Sequence, residues 1–198
     1  MKFFKTKILP FLLILMIAFL GSFDPKPAPQ LDKAEAKAAF EFLNKVRMNP
    51  ENYYKELNLN GYLPYTKTLL VWNDTLAAVA EHKALDMATR NYFGHVDPEG
   101  HGMNYFISKA GYKLEKEWVK RGSENYFESI DAGANDGIDA IKTLIIDQGV
   151  PSFGHRKHLL GLDKWNAALN DIGIGFATNR GETEYGTYVS VIIARHNW

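Results

Sequence analysis

Apolar residues recur at three- and four-residue steps from Asp32 onward, where Ala36, Ala39, Phe40, Leu43 and Val46 line one face of a helix that Asp32 can cap. Asn49 and Pro50 stop it, and the same pair can open a short second helix through Tyr53 and Tyr54 toward Leu57. Residues 58–68 form a loop. The clearest stripe follows, with Leu76, Val79, Ala80, Ala84, Met87 and Ala88 behind the capping oxygens of Asn73 and Asp74, and it predicts a long helix ending near Tyr92. A turn-rich stretch, GHVDPEGHG at 94–102, leads to a short helix over 103–110 that Gly111 closes. Periodicity is weak between Trp118 and Ile130, and 131–137 is a Gly-, Ala- and Asn-rich loop. Ile138, Ile141 and Ile145 then mark a fourth helix to Ile146, ended by Gly149 and Pro151.

The last third changes period. DIGIGFAT (171–178) and GTYVSVIIAR (186–195) are rich in β-branched and aromatic residues and are joined by a polar, Gly-containing turn, the pattern of a β-hairpin. Helices first and an antiparallel sheet later predict an α+β domain, since parallel βαβ folds alternate the two throughout. No internal repeat interrupts this order.

The first 22 residues stand apart: Lys2, Lys5 and Lys7 precede an uncharged run from Ile8 to Leu20 and the small pair Gly21 and Ser22, the layout of a secretory signal. The run falls short of the roughly 20 residues of a membrane span and contains Pro10, so a retained anchor is the weaker alternative. Residues 23–31, with three prolines, read as a linker, and 32–198 as one domain. The implied location is extracellular or periplasmic, with no membrane span in the mature form.

Without the three leader lysines the 23 basic residues fall to 20, against 23 acidic ones. This mild acidic excess, with no basic cluster, argues against nucleic acid as a partner, because phosphate binding needs concentrated Lys and Arg. Zero cysteines exclude disulfides, thiolate zinc sites and a cysteine nucleophile. Packing alone must hold the fold, which about 175 residues can do.

Six histidines are the main candidate chemistry. His82 lies four residues before Asp86 on a helix face, where a local surface or packing pair is the ordinary reading. His95 lies in a loop just past a helix end, where the backbone can aim it into a cleft, a solvated loop histidine being the alternative. His101, in the same loop, reads as solvent-facing. Glu124, in RGSENYF, follows a Gly-Ser turn and precedes Tyr126 and Phe127, which suits a buried hydrogen-bond network or an ordinary loop end. His155 and His158, in GVPSFGHRKHLLG, are three residues apart and near one another on a helical turn, a pair with metal-binding chemistry but weak spacing evidence. HExxH and GxSxG are absent, and IGIG inside a strand pattern is no nucleotide fingerprint.

Taken in order, these segments resemble bacterial members of the CAP superfamily, the SCP-like extracellular domain that includes cysteine-rich secretory proteins, antigen 5 and pathogenesis-related protein 1. LLVWNDTLAAVAEHKALDMATRNYFGHVDPEG is similar to that family's long helix and exit histidine, which maps onto His95. SENYF is similar to its Glu-Asn motif, mapping onto Glu124, and FGHRKHLLG to its Gly-His-Arg motif, mapping onto Gly154, His155 and Arg156. DIGIGFA and YVSVIIA correspond to its final hairpin, so the likeness runs from about Lys37 to His196. It implies an α-β-α sandwich, a central antiparallel sheet flanked by helices. It also implies a cleft of two histidines and acidic residues, here His95, Glu124 and His155, able in several relatives to hold a divalent metal. Where many eukaryotic members carry a second glutamate this chain has none, and Asp147 is the nearest candidate.

Three functions follow as expectations. One is a cleft that holds Zn²⁺ or another divalent cation through His95 and His155 with Glu124 in support, weakening below the reference imidazole pKa of about 6.5. Another is a hydrolase acting on peptide or cell-envelope polymers, with a histidine as base or a metal-bound water as nucleophile. The third is a module that binds a small molecule, a sterol or other lipid, or an extracellular protein.

Overall fold

The structure, a computed structural model, describes residues 28–59, 61–181 and 183–195. The leader at 1–22 lies outside the described residues. The linker assigned to 23–31 is too long by two, because Gln30–Leu31 form a strand (β1) paired antiparallel to the sheet. Proline-poor and next to a strand with an open side, these two residues contribute backbone hydrogen bonds that composition does not reveal.

Helix α1 spans Lys33–Met48, with the Asp32 carboxylate accepting from the N–H groups of Ala34 and Glu35. Its buried face carries Phe42, where the stripe reading placed Phe40; Phe40 is half-buried with its ring edge-on to Trp72. Pro50–Tyr53 is a single 3₁₀ turn. After the loop, β2 (Val71–Trp72) leads into α2 (Asp74–Arg90), whose first turn is capped by the Asn73 side chain at Leu76 N. Helix α3 covers Met103–Lys109. Strand β3 (Glu128–Ala132) lies where periodicity is weak over 118–130 and the composition over 131–137 is that of a loop. Helices α4 (Gly137–Ile146), α5 (Gly154–Leu160) and α6 (Lys164–Ala167) precede the hairpin of β4 (Asp171–Thr178) and β5 (Thr187–Ala194).

The sheet runs β1-β4-β5-β3, with β2 also on β4; all pairings are antiparallel except β2 with β4. Alternation along β4 sends Gly173 and Gly175 to one face and Ile172, Ile174 and Phe176 to the other. The glycine face receives α2 at backbone contact: a Cβ on Gly173 would lie 2.1 Å from Ala77 N, and one on Gly175 2.2 Å from Ala80 O. The IGIG sequence is therefore a helix seat. The opposite face is covered by α1, α4 and α5, which completes the α-β-α sandwich.

A half-buried and a buried side chain lock the second layer. Asn44 brackets Leu70 with bonds to its carbonyl and amide, and Arg47 donates to Thr68 O (3.1 Å) and Leu159 O (2.8 Å), closing the end of α5. Burial pushes the Arg47 guanidinium down to about 10. Among the described residues no helix is long and apolar enough to cross a membrane.

Candidate functional site

The candidate site straddles the first residues of β3, the strand at the sheet's edge. Register places Glu128 opposite Ile192 and Ser129 opposite Val191, so consecutive side chains project to opposite faces, Glu128 toward the α2 layer and Ser129 toward the α4–α5 layer. A histidine meets each from its own side.

On the α2 side, Asn91 takes the left-handed conformation that ends the helix, and the chain turns to present His95. His95 Nδ1 donates to Glu128 Oε2 at 3.0 Å, and Ser190 Oγ donates to Glu128 Oε1 at 2.8 Å. Both carboxylate oxygens are thus occupied, and the Glu128 side chain is fully buried. Lys83 lies buried below, donating to Tyr92 Oη at 3.1 Å. Burial lowers its pKa, while Glu128, Asp86 and Asp97 act to hold its charge.

On the other side, α4 ends with Asp147 in the left-handed conformation, its carboxylate accepting from His155 Nδ1 (2.8 Å) and Arg156 N (3.2 Å). Arg156 turns back to donate to Ile145 O (2.6 Å) and Ile146 O (2.7 Å), satisfying carbonyls left open by the helix end. The Gly-His-Arg segment therefore welds α5 onto α4. One turn later, His158 Nδ1 is hydrogen-bonded to Ser129 Oγ at 2.8 Å. Burial pushes His158 down to about 4; the Ile193 backbone opposes this without a hydrogen bond of good geometry, and Nε2 stays buried and unpartnered. Both side chains are buried at the floor of a cleft.

His95, Glu128, Ser129, His155 and His158 line one cleft of about 710 Å³. The two histidines singled out from the sequence, sixty positions apart, thus share it, with His95 side chain 41% and His155 27% exposed. Asp147 stands behind His155, outside the lining. Glu124 does not line the cleft: Ser123 and Asn125 do, and the Glu124 carboxylate is beside Tyr126, whose phenol is pushed up by desolvation and by that charge. Glu128, four residues later, makes the hydrogen bond to His95, because the strand that aims it begins only there. His101 keeps a partly exposed side chain, 36%, and is also held in place, stacking on Tyr105 at 4.3 Å and bonding Asp97 through Nδ1 at 3.3 Å. His82 sits against the Phe106 ring at 5.3 Å, and Asp86 instead takes Arg90 and Tyr92.

The fit to a divalent ion is partial. Each of His95 and His155 commits Nδ1–H to a carboxylate, which fixes the tautomer with a lone pair on Nε2, the outer-sphere arrangement found behind metal-ligating histidines. Yet among the described residues no three His, Cys, Asp or Glu side chains converge to hold an ion. The donor set suits a water-completed ion on two imidazoles and not a closed structural site.

Asn104 is a further residue that sequence reasoning missed. Buried on α3, it donates to Trp118 O (2.8 Å) and accepts from Tyr126 N (3.0 Å), and with Gly102 N bonding Gly122 O (2.7 Å) it holds the loop that forms the cleft wall.

No curated protein sequence matches the chain significantly. Among solved structures it resembles an extracellular protein containing a SCP domain from Bacillus anthracis (21% identity, TM-score 0.51), covering 83% of this chain and 41% of that one. It also resembles an outer surface protein from Borrelia burgdorferi (19% identity, TM-score 0.51), covering 84% of this chain and 98% of that one. At these identities the likeness is one of fold. A model of the family described as CAP, cysteine-rich secretory protein family, matches residues 40–193. That match runs from within α1 almost to the end of β5, and the chain therefore belongs to the CAP family.

Proposed function

We propose that the chain acts outside the cytoplasm as a CAP domain whose cleft reversibly holds a divalent cation such as Zn²⁺ between His95 and His155. The leader pattern at 1–22 and the extracellular and surface proteins among its structural relatives support the location. One observation carries the metal reading: two imidazoles lining a single cleft, each with Nδ1 held by its own buried carboxylate, Glu128 and Asp147. A carboxylate partner raises the basicity of the opposite nitrogen and fixes the ring's orientation. Bound there, the ion supplies Lewis acidity to whatever enters the cleft. With two protein donors the ion is exchangeable.

Calorimetric titration with Zn²⁺ at about pH 7.5, where imidazole is largely neutral, tests it. Saturable binding is expected for the wild type, none for His95→Ala, and roughly 10- to 100-fold weaker binding for Glu128→Gln, which removes the orienting charge but keeps the shape. Absence of heat in the wild type, or equal binding in wild type and His95→Ala, overturns the proposal.

A further inference from the structure

We infer that the same cleft carries a seat for a neutral glycan chain, built by Tyr126 and Trp165 and independent of any ion. Both rings line the cleft while remaining 46% and 43% exposed. Both are braced from within by buried Phe127: Trp165 stacks on it at 6.1 Å and 26°, Tyr126 meets it edge-on at 6.3 Å, and Trp118 meets Trp165 edge-on at 5.4 Å. Rings held in fixed orientation with exposed surface are pre-organised platforms, because a ligand does not have to order them.

The chemistry between the rings selects the ligand class. Ser123, Asn125, Ser152 and Asn166 bring hydroxyls and amides to the lining, and no Lys or Arg is present there. The one carboxylate in the lining, Glu128, already has both oxygens engaged. The ion-free cleft thus carries no permanent positive charge to hold an anion, so phosphate- or carboxylate-bearing molecules are disfavoured there. An acyl chain or sterol would cover the hydroxyls and amides without partnering them, at a cost per buried group of about 1–3 kcal/mol. A peptide adding as a strand would need an open sheet edge, and β3, which borders the cleft, is buried along its length apart from Ala132. A hexose chain meets every condition: its C–H faces are apolar and slightly positive and rest on the negative faces of aromatic rings, while its hydroxyls and acetamido groups pair with amides and hydroxyls.

The test titrates the full chain, with EDTA present, with the tetramer of β-1,4-linked N-acetylglucosamine and separately with cellotetraose, read by amide chemical-shift changes. Binding of at least one, with Kd of about 1 mM or tighter and shifts centred on 123–129 and 165–166, is expected. Tyr126→Ala and Trp165→Ala should each weaken it at least about tenfold while leaving the Zn²⁺ titration as in the wild type, which also shows that the variants fold. Glycan binding without Zn²⁺ binding sinks the metal reading alone. No shift with either tetramer up to about 10 mM, an unchanged affinity in both variants, or binding of an acyl chain or peptide in their place overturns the glycan seat.

Discussion

Gly173→Ala is expected to destabilise the chain by about 3 kcal/mol, a fall in Tm of roughly 6 to 12 °C for a domain of this size. The added methyl carbon would stand 2.1 Å from both Ala77 N and Leu76 C, and these are backbone atoms of α2, not the ends of movable side chains. Relief requires the helix to lift from the sheet along much of its length, and α2 is the whole of that layer's contact with β4 and β5 near this point. The same layer positions Lys83 and, past Asn91, His95, so the cleft should loosen with the helix. Gly122→Ala is the matched control. Its Cβ would meet nothing nearer than a His101 ring atom at 3.7 Å, and its stability should stay within about 0.5 kcal/mol of wild type. Chemical denaturation of the three proteins decides: equal midpoints for Gly173→Ala and wild type would mean that α2 does not rest on β4 at backbone contact.

Legibility of the fold tracked how local its causes were. The caps at Asp32 and Asn73 and the stripe of α2 were readable because each depends on residues within one or two turns. The hairpin was readable because a strand buried on both faces shows a continuous apolar run. Strand β3 was not, because Glu128, Ser129 and Asp131 are polar residues buried by partners far along the chain, and their pattern ESIDA mimics a solvated loop.

The same reason explains the site. His95 and His155 announce themselves by their loops and by the family resemblance, whereas the choice between Glu124 and Glu128 depends on sheet register. A faint signal existed: Ser190 is the one polar residue inside the apolar run YVSVIIA, and a buried hydroxyl there requires a partner. That partner is Glu128. Asn104 left no such trace, being an ordinary helical asparagine whose bonds to Trp118 and Tyr126 exist only after the loop folds over it.

The second large effect is a pair of opposed titrations on the α4–α5 side of β3. His158 titrates at about 4 in the folded chain against 6.5 unfolded, because burial penalises the charged ring. Between those values the unfolded chain binds more protons, so this contribution is complete above about pH 6.5 and lost by about pH 4, roughly 3 kcal/mol in all. Asp131 behaves inversely: burial first, then the nearby Asp139 charge, push its carboxyl from 3.8 up to about 6. Here the folded chain holds the proton, and about 3 kcal/mol present below pH 3.8 is lost as pH rises through 6. The two nearly cancel over that window. Asp131→Asn removes one of them and should lose about 3 kcal/mol more than wild type on going from pH 6.5 to 4, whereas His158→Gln should lose about 3 kcal/mol less over the same range. Carboxylates held below their ordinary values elsewhere, Asp86 and Asp97 among them, act alike in all three proteins and drop out of the differences. Urea unfolding across that range reads the slopes directly, and parallel curves for wild type and both variants would mean that neither group changes its proton affinity on folding.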